Sequence, residues 1–421
     1  MTTMRLIACH ECDLLQRETV LGRGGAARCR RCGATLYKSL PASVDRTLAL
    51  TLAALILFCV ANAFPIVGLS VNGTLVETTL FGAARILYLD GVWPLAGLVF
   101  VTTLLMPLVT MLAMLYLLMP LRTGRVPKRP DIALRLLRRV APWGMIEVLI
   151  LGMLVALVKL AAIASVVPGI SLWAFGTVML LLAAAGATFD PHDIWARIDV
   201  AQGRHSSFHG RVSGSAPTAA GAGLFVCHDC GLLSKPAPGT HEGICPRCGS
   251  ALHFRKPGSI ARTWAFVIAA VVLYIPANVL PVMDTSSLFG AQTDTIMSGV
   301  VFLWVSGSWP LALLVFIASI AVPMLKIISL IFLVLTAQLR WRWLPEKRTR
   351  IYRVVELVGR WSMLDIYVIT ILVALVQFSA LATIMAGPGS IAFGSVVVLT
   401  MFSAMSFDPR LIWDPLEPDH E

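Results

Sequence analysis

Eight stretches of this sequence run for about twenty residues with almost no charge, at roughly 47–68, 92–119, 143–164, 170–189, 263–282, 309–338, 361–385 and 390–407. About twenty apolar residues carry one helix across the hydrocarbon of a bilayer. A helix also satisfies its own backbone polar groups there, which open irregular chain cannot. These runs restrict the chain to an α-helical polytopic membrane protein. The bulk composition agrees: mean hydropathy is +0.81, with 57% hydrophobic and 14% charged residues. A soluble chain of 421 residues has no way to hide that much apolar surface.

Charge placement then predicts orientation. Residues 120–142 carry seven basic side chains (Arg122, Arg125, Lys128, Arg129, Arg135, Arg138, Arg139) against Asp131. Residues 339–360 carry seven more against Glu346 and Glu356, whereas 283–308 has two aspartates and no base. The positive-inside rule puts the basic loops, both termini and the central linker in the cytoplasm. The net charge of +11 lies beside membrane segments, so it reads as attraction to anionic headgroups rather than to nucleic acid. Residues 1–40 lack the apolar block of a secretory leader, so the chain is expected to start on the side where it is made.

The chain repeats itself at an offset of 216–218 residues. Cys9, Cys12, Cys29 and Cys32 map to Cys227, Cys230, Cys245 and Cys248. Trp93-Pro94 maps to Trp309-Pro310, Pro107 to Pro323, Glu147 to Asp365, and "TFDPHDIW" to "SFDPRLIW". This predicts two parallel tandem modules, each a small four-cysteine domain of zinc-ribbon or rubredoxin-like type followed by four membrane helices. The divisions are 1–40 and 41–198, a flexible Gly/Ala/Ser-rich linker at 199–223, then 224–257 and 258–421. "LSVNGTLVET" (69–78) alternates around Asn72-Gly73 and predicts a hairpin on the outer face. The segments 131–140 and 350–361 mix basic and apolar residues at helical spacing and are expected along the inner leaflet.

Each four-cysteine domain has two Cys-x2-Cys pairs, separated by sixteen residues in the first and fourteen in the second. Such spacing gathers four thiolates tetrahedrally, as structural Zn2+ requires, and iron in a rubredoxin-like site is the competing ion. Four protein ligands leave no open position for catalysis. A reducing cytoplasm disfavours disulfides. His10 and His228, inside the first knuckles, are expected at the surface, and Cys59 in an apolar helix as packing.

Ionisable residues inside apolar runs are costly and mark function. There are four: Glu147, Lys159, Lys326 and Asp365. Lys159 lies near the outer end of its run, where it can snorkel. Glu147 and Asp365 sit one turn in and can tether the basic loops. Lys326 lies about 18 Å from the cytoplasmic end of its helix, and its counterpart is Thr110. Pro323, one turn earlier, frees a carbonyl near Ser319. The expectation is a polar ladder, Lys326–Thr400–Asp365, in the second module, set against a lysine satisfied by backbone carbonyls. The sequence holds no P-loop, G-x-S-x-G or H-E-x-x-H motif, so no enzyme is expected.

Together, the tandem cysteine pairs, "ANVLP", "DTIMSG", "VPMLKI" and "GRWSMLDIYV" resemble the paraquat-inducible protein A family, including its lipophilic-envelope-spanning-tunnel A branch. The first module departs, with "APWGMIE" and "MPLVT". The resemblance implies an inner-membrane protein of a Gram-negative envelope that passes phospholipid to or from a hexameric periplasmic MCE-domain tunnel protein. Two other classes compete: a membrane-anchored metal or redox stress sensor, and a small-solute secondary transporter.

Overall fold

The computed structural model describes residues 6–40, 42–71, 74–161, 165–203, 218–235, 240, 242–287, 290–307, 309–359, 361–375, 377–378 and 382–416. Its element order repeats. Two hairpins open the first module, β1 (Leu6–Ala8) with β2 (Leu15–Arg17), and β3 (Ala26–Arg28) with β4 (Thr35–Lys38). Helix α1 (Ser43–Ala63) and the hairpin β5 (Val67–Val71) with β6 (Thr74–Thr78) follow, then α2 (Leu80–Leu89), α3 (Trp93–Phe100) and α4 (Met106–Arg122). Next come α5 (Pro130–Val140), α6 (Ile146–Ala161), β7 (Ser165–Pro168), α7 (Ile170–Thr188) and α8 (Pro191–Ala201).

The second module runs through β8 (Phe225–Val226), β9 (Leu233–Ser234), β10 (Glu242–Ile244), β11 (Ala251–His253) and α9 (Ser259–Val279). It continues with β12 (Met283–Ser287), β13 (Gly290–Asp294), α10 (Ile296–Val305), α11 (Trp309–Phe316), α12 (Val322–Gln338) and α13 (Pro345–Gly359). It closes with α14 (Leu364–Leu375), β14 (Gln377–Phe378), β15 (Ala382–Ala386) and α15 (Pro388–Ser406).

Local chemistry sets several boundaries. Thr79 caps α2 by accepting from Gly82 N at 3.0 Å, and Thr295 with Ser298 forms a capping box on α10. A Trp-Pro pair opens α3 and α11, where proline lacks only an N–H that would be unpaired anyway. In both modules the second long helix is interrupted by one π-helical turn, Val101–Leu105 and Ile317–Ala321, just before Pro107 and Pro323. A proline ring crowds the carbonyl four residues back and removes a donor; widening the register by one residue accommodates both.

Seven helices among the described residues are long and apolar enough to cross a membrane: Ser43–Ala63, Trp93–Arg122, Pro130–Leu157, Ile170–Thr188, Ser259–Val279, Ala312–Gln338 and Pro388–Ser406. The chain is a multi-pass membrane protein. The run at 361–385 differs from expectation: it holds the twelve-residue α14 and then strands, rather than one spanning helix. Hydropathy alone does not separate a span from a short buried helix joined to a strand. Strand β7, after α6, and β15, after α14, return to pair with β5 and β12. The expected hairpin at 69–78 thus forms within the three-stranded sheet β6-β5-β7, and the second module has the four-stranded β13-β12-β15-β14. The turn residues Asn72-Gly73 lie outside the described residues.

Within each module the first helix packs on the last, α1 on α7 and α9 on α15. The modules meet through α6 and α14. A Cβ on Gly152 would lie 2.9 Å from Tyr367 Cβ and 3.1 Å from the Leu364 carbonyl, so the backbones approach as only glycine allows. Cys59 faces out of the bundle rather than into its packing. In the segment at 199–223, α8 extends through Ala201, and Ala219 and Ala220 donate their N–H groups to the Asp13 carbonyl and carboxylate. Residues 204–217 lie outside the described residues.

Candidate functional site: two cysteine clusters and a buried lysine

Cys9, Cys12, Cys29 and Cys32 converge, as do Cys227, Cys230, Cys245 and Cys248, with the sulfurs of each set within 4.8 Å of one another. Sulfurs pair at 3.5 Å: Cys9 with Cys32, Cys12 with Cys29, Cys227 with Cys248 and Cys230 with Cys245. A tetrahedral ion with metal–sulfur bonds of about 2.3 Å sets its ligands about 3.8 Å apart. The geometry therefore fits a four-thiolate metal site and no disulfide, whose sulfurs are about 2 Å apart.

The same backbone device builds every knuckle. The residue after each second cysteine donates its N–H to the carbonyl of the first cysteine: Asp13 to Cys9, Gly33 to Cys29, Gly231 to Cys227 and Gly249 to Cys245, at 2.8–2.9 Å. Each of these four residues has positive φ, between 60° and 74°, and three are glycine. Asp13 is the exception, and its carboxylate is used. It reaches Arg255 Nη1 at 3.1 Å and Arg410 Nη1 at 3.7 Å, so it ties both cysteine domains to the C-terminal segment. Outside the first cluster, Gln16 Nε2 donates to Cys29 Sγ at 3.2 Å.

Docking of the cysteine domains is crossed. The first cluster packs on Leu333 and Val334 of α12, Tyr352 of α13, and Phe407 and Trp413, all in the second module. The second packs on Met114 and Leu117 of α4, Leu134 and Leu137 of α5, and Trp195 of α8, all in the first. Equivalent cation–π contacts mark both interfaces: Arg31 lies 4.3 Å from the Trp413 ring centroid and Arg247 5.5 Å from that of Trp195. Arg353 grips Glu11 with both Nε and Nη2 and donates to the Cys32 carbonyl at 2.8 Å, while Arg247 bonds Asp199 at 2.5 Å. His10 is exposed as expected, but His228 is half-buried against the Arg410 guanidinium. Burial and that neighbouring cation hold His228 down at about 3, so its imidazole is neutral at physiological pH.

Lys326 lies in the middle of a long span, and its residue is 3% exposed. Its Nζ has no hydrogen-bond partner among the described residues, and neither have the buried hydroxyls of Ser319 and Ser362. Helical side chains lean toward the N-terminus, which aims this amine toward the π-helical turn that holds Ser319. That turn packs against the 3-10 turn Trp361–Met363, which holds Ser362. Gly359 makes the room: a Cβ there would sit 3.0 Å from Nζ and 3.3 Å from Cε. The first module has Ala141 at that position opposite Thr110, and its π-helical turn is satisfied, with Thr102 Oγ1 2.9 Å from Tyr367 OH.

The remaining ladder residues are not drawn together. Thr400 is buried, but its Oγ1 donates to the Val397 carbonyl of its own helix at 2.9 Å. Glu147 is exposed in the first turn of α6, without a partner among the described residues. The side chains of Asp365 and Lys159 lie outside the described residues. The sequence reading missed Ser362 and Gly359, although the motif "GRWSMLD" holds both, and it missed the arginine–tryptophan pairs.

This arrangement of duplicated cysteine knuckles, matching π-helical turns and one deep lysine can be set beside known proteins. The family model described as Paraquat-inducible protein A matches residues 44–199 and 260–417. The chain is 36% identical over 417 residues to the intermembrane transport protein PqiA of Escherichia coli K12, covering 99% of this chain and 97% of that one. It is 28% identical to the lipophilic envelope-spanning tunnel protein A of the same strain, over 97% and 91% of the two chains. A probable intermembrane transport protein of Haemophilus influenzae is 27% identical, over 97% and 96%. No solved structure matches. Because the family match falls on both repeats and the identity runs from end to end, the chain belongs to the paraquat-inducible protein A family.

Proposed function

We propose that this protein is the inner-membrane component of an intermembrane transport system in a Gram-negative envelope, and that its cargo is phospholipid. In this reading it passes lipid to or from a periplasmic MCE-domain tunnel protein and so supports envelope integrity. Both cysteine domains and both termini face the cytoplasm, and the sheets β6-β5-β7 and β13-β12-β15-β14 face the periplasmic partner. The transport role follows the names of the relatives. The lipid reading is supported by the walls of the bundle, which offer apolar surface and few polar groups to a substrate.

One observation carries the mechanism: an amine buried in the second module with no partner among the described residues, in a region where the Ser319 and Ser362 hydroxyls have none either. Each unpaired buried polar group costs about 1–3 kcal/mol and a charged one more, so a cluster of three is expected where the protein uses the group. Lys326, Ser319 and Ser362 form the coupling element, Asp365 is kept as its acidic member from the sequence reading, and Thr400, bonded within its own helix, stands outside it. A change in the charge or contacts of the amine is transmitted through Gly359 to α13 and the basic loop. Glu147, exposed in the first turn of α6, stands outside this element. The cysteine domains hold one Zn2+ each and act as clamps: because each docks on the opposite module, they fix the two halves relative to one another. Crossed docking favours this scaffold over a sensor whose helices serve only as anchors.

The test is lipid loading of the partner. Photo-crosslinking groups placed in the tunnel lumen of the MCE protein would capture phospholipid in cells that carry this protein. Deleting it is expected to lower that capture severalfold. Unchanged capture would contradict the reading.

A further inference from the structure

The modules share an element order but not a packing. Lys326, Tyr352 and Ala404 are buried in the second; the equivalent positions of the first hold Thr110, Leu134 and Gly186. All three differences remove side-chain volume at one place, where α4, α5 and α7 converge. A cavity of about 720 Å3 opens there, and Thr110, Leu134 and Gly186 all line it. In the second module Tyr352 closes the corresponding space, its ring 5.7 Å from that of Phe407 and its hydroxyl donating to the Ala404 carbonyl at 3.4 Å.

The cavity is two-sided. Met114, Leu137 and Phe189 supply an apolar wall deep in the module, while His10 and His228 of the two cysteine domains roof it. Of the charged side chains on its rim all but one are engaged: Arg247 with Asp199, Arg410 with Asp408, His192 with Glu18, and Asp229 with Ser250. Asp190 accepts from the N–H groups of Lys38 and His192. Arg138 is exposed and has no partner among the described residues, and the second module has Glu356 at its position.

We propose that this cavity binds the headgroup end of one anionic bilayer phospholipid, with Arg138 on the phosphate and the upper acyl segment against the apolar wall. The volume lies in the range of small-molecule sites, about 300–1,000 Å3, so the rest of the chains stays in the bilayer. Charge complementarity selects the headgroup, and the cysteine domains act as its lid. The site rests on the lipid reading above and adds to it a holding station in the module that lacks the deep lysine.

The test uses the full-length protein in nanodiscs that contain phosphatidylglycerol with a diazirine near the head of one acyl chain. After irradiation, adducts are mapped by mass spectrometry. They are expected on Met114, Leu137 and Phe189. Leu134→Tyr with Gly186→Ala installs the second module's own residues. It is expected to cut those adducts about tenfold, as filling a packed site does, with adducts on the outward-facing Leu112 and Tyr116 unchanged. Arg138→Glu is expected to cut cavity labelling by the anionic probe about tenfold, one charge-assisted contact, and to spare labelling by a diacylglycerol probe. Wild-type adducts confined to outward-facing residues would overturn the site, as would cavity adducts indifferent to filling. Because labelling needs no partner, cavity adducts without lipid capture in the MCE protein would refute only the transport reading. The reverse result would refute only the site.

Discussion

At the residue scale, the informative side chains are those whose neighbours differ between two otherwise matching modules. Gly359 stands against the Lys326 amine where the first module pairs Ala141 with Thr110. Gly359→Ala would push only the far end of a flexible side chain, so folding should lose no more than about 1 kcal/mol. Transport should fall much further, because the amine is displaced; membrane abundance beside barrier function checks this. Asp408 tests the clamp between the cysteine domains and the C-terminal segment. Burial alone would raise its carboxyl, but Arg410 at 3.2 Å, the Lys256 N–H at 3.0 Å and the nearby charge of Lys256 together hold it below the usual carboxylate range. A lowered carboxyl contributes stability that is present above the unfolded value, about 3.9, and is lost as pH falls through the folded one. Melting of the wild type should therefore drop more steeply below about pH 4 than that of Asp408→Asn, which should be less stable at pH 7. Lys326 was legible in the sequence because one charge in an apolar run is conspicuous. Ser362 and Gly359 were not, since small residues gain meaning only from what packs on them.

At the scale of elements, the cysteine spacing specified both knuckle pairs, and alternation around Asn72-Gly73 specified the hairpin at β5 and β6. The π-helical turns escaped notice, although Pro107 and Pro323 inside long apolar runs were their signal. So did the shortness of α14, because an apolar strand and an apolar helix look alike in hydropathy. Element packing has measurable consequences. Gly152→Leu should force α6 from α14 and cost about 1–3 kcal/mol, read as a lower melting temperature in detergent. Cys12→Ser should lower bound metal from about two ions to about one per chain by elemental analysis, zinc being the ion that the proposal expects. It should also loosen the first cysteine domain from α13 and from Arg255, since Glu11 and Asp13, which hold those contacts, share that knuckle. Proteolysis between β1 and β4 should accelerate.

For the whole molecule, the repeat was readable but the crossed docking was not, because periodicity says that two units match and nothing of which sits on which. Crossing makes the cysteine domains straps between modules, whose interiors are unequal: a roomy first module and a second built around an amine. The proposed coupling turns on that amine. Lys326→Met keeps the volume and removes the amine, and because a buried polar group without a partner costs about 1–3 kcal/mol, the exchange should not destabilise the fold. In a strain that lacks the native protein and shows a barrier defect rescued by the wild type, this variant should reach normal membrane abundance. Resistance to detergent and lipophilic toxins should stay lost. Normal abundance with full rescue would contradict a coupling role for Lys326.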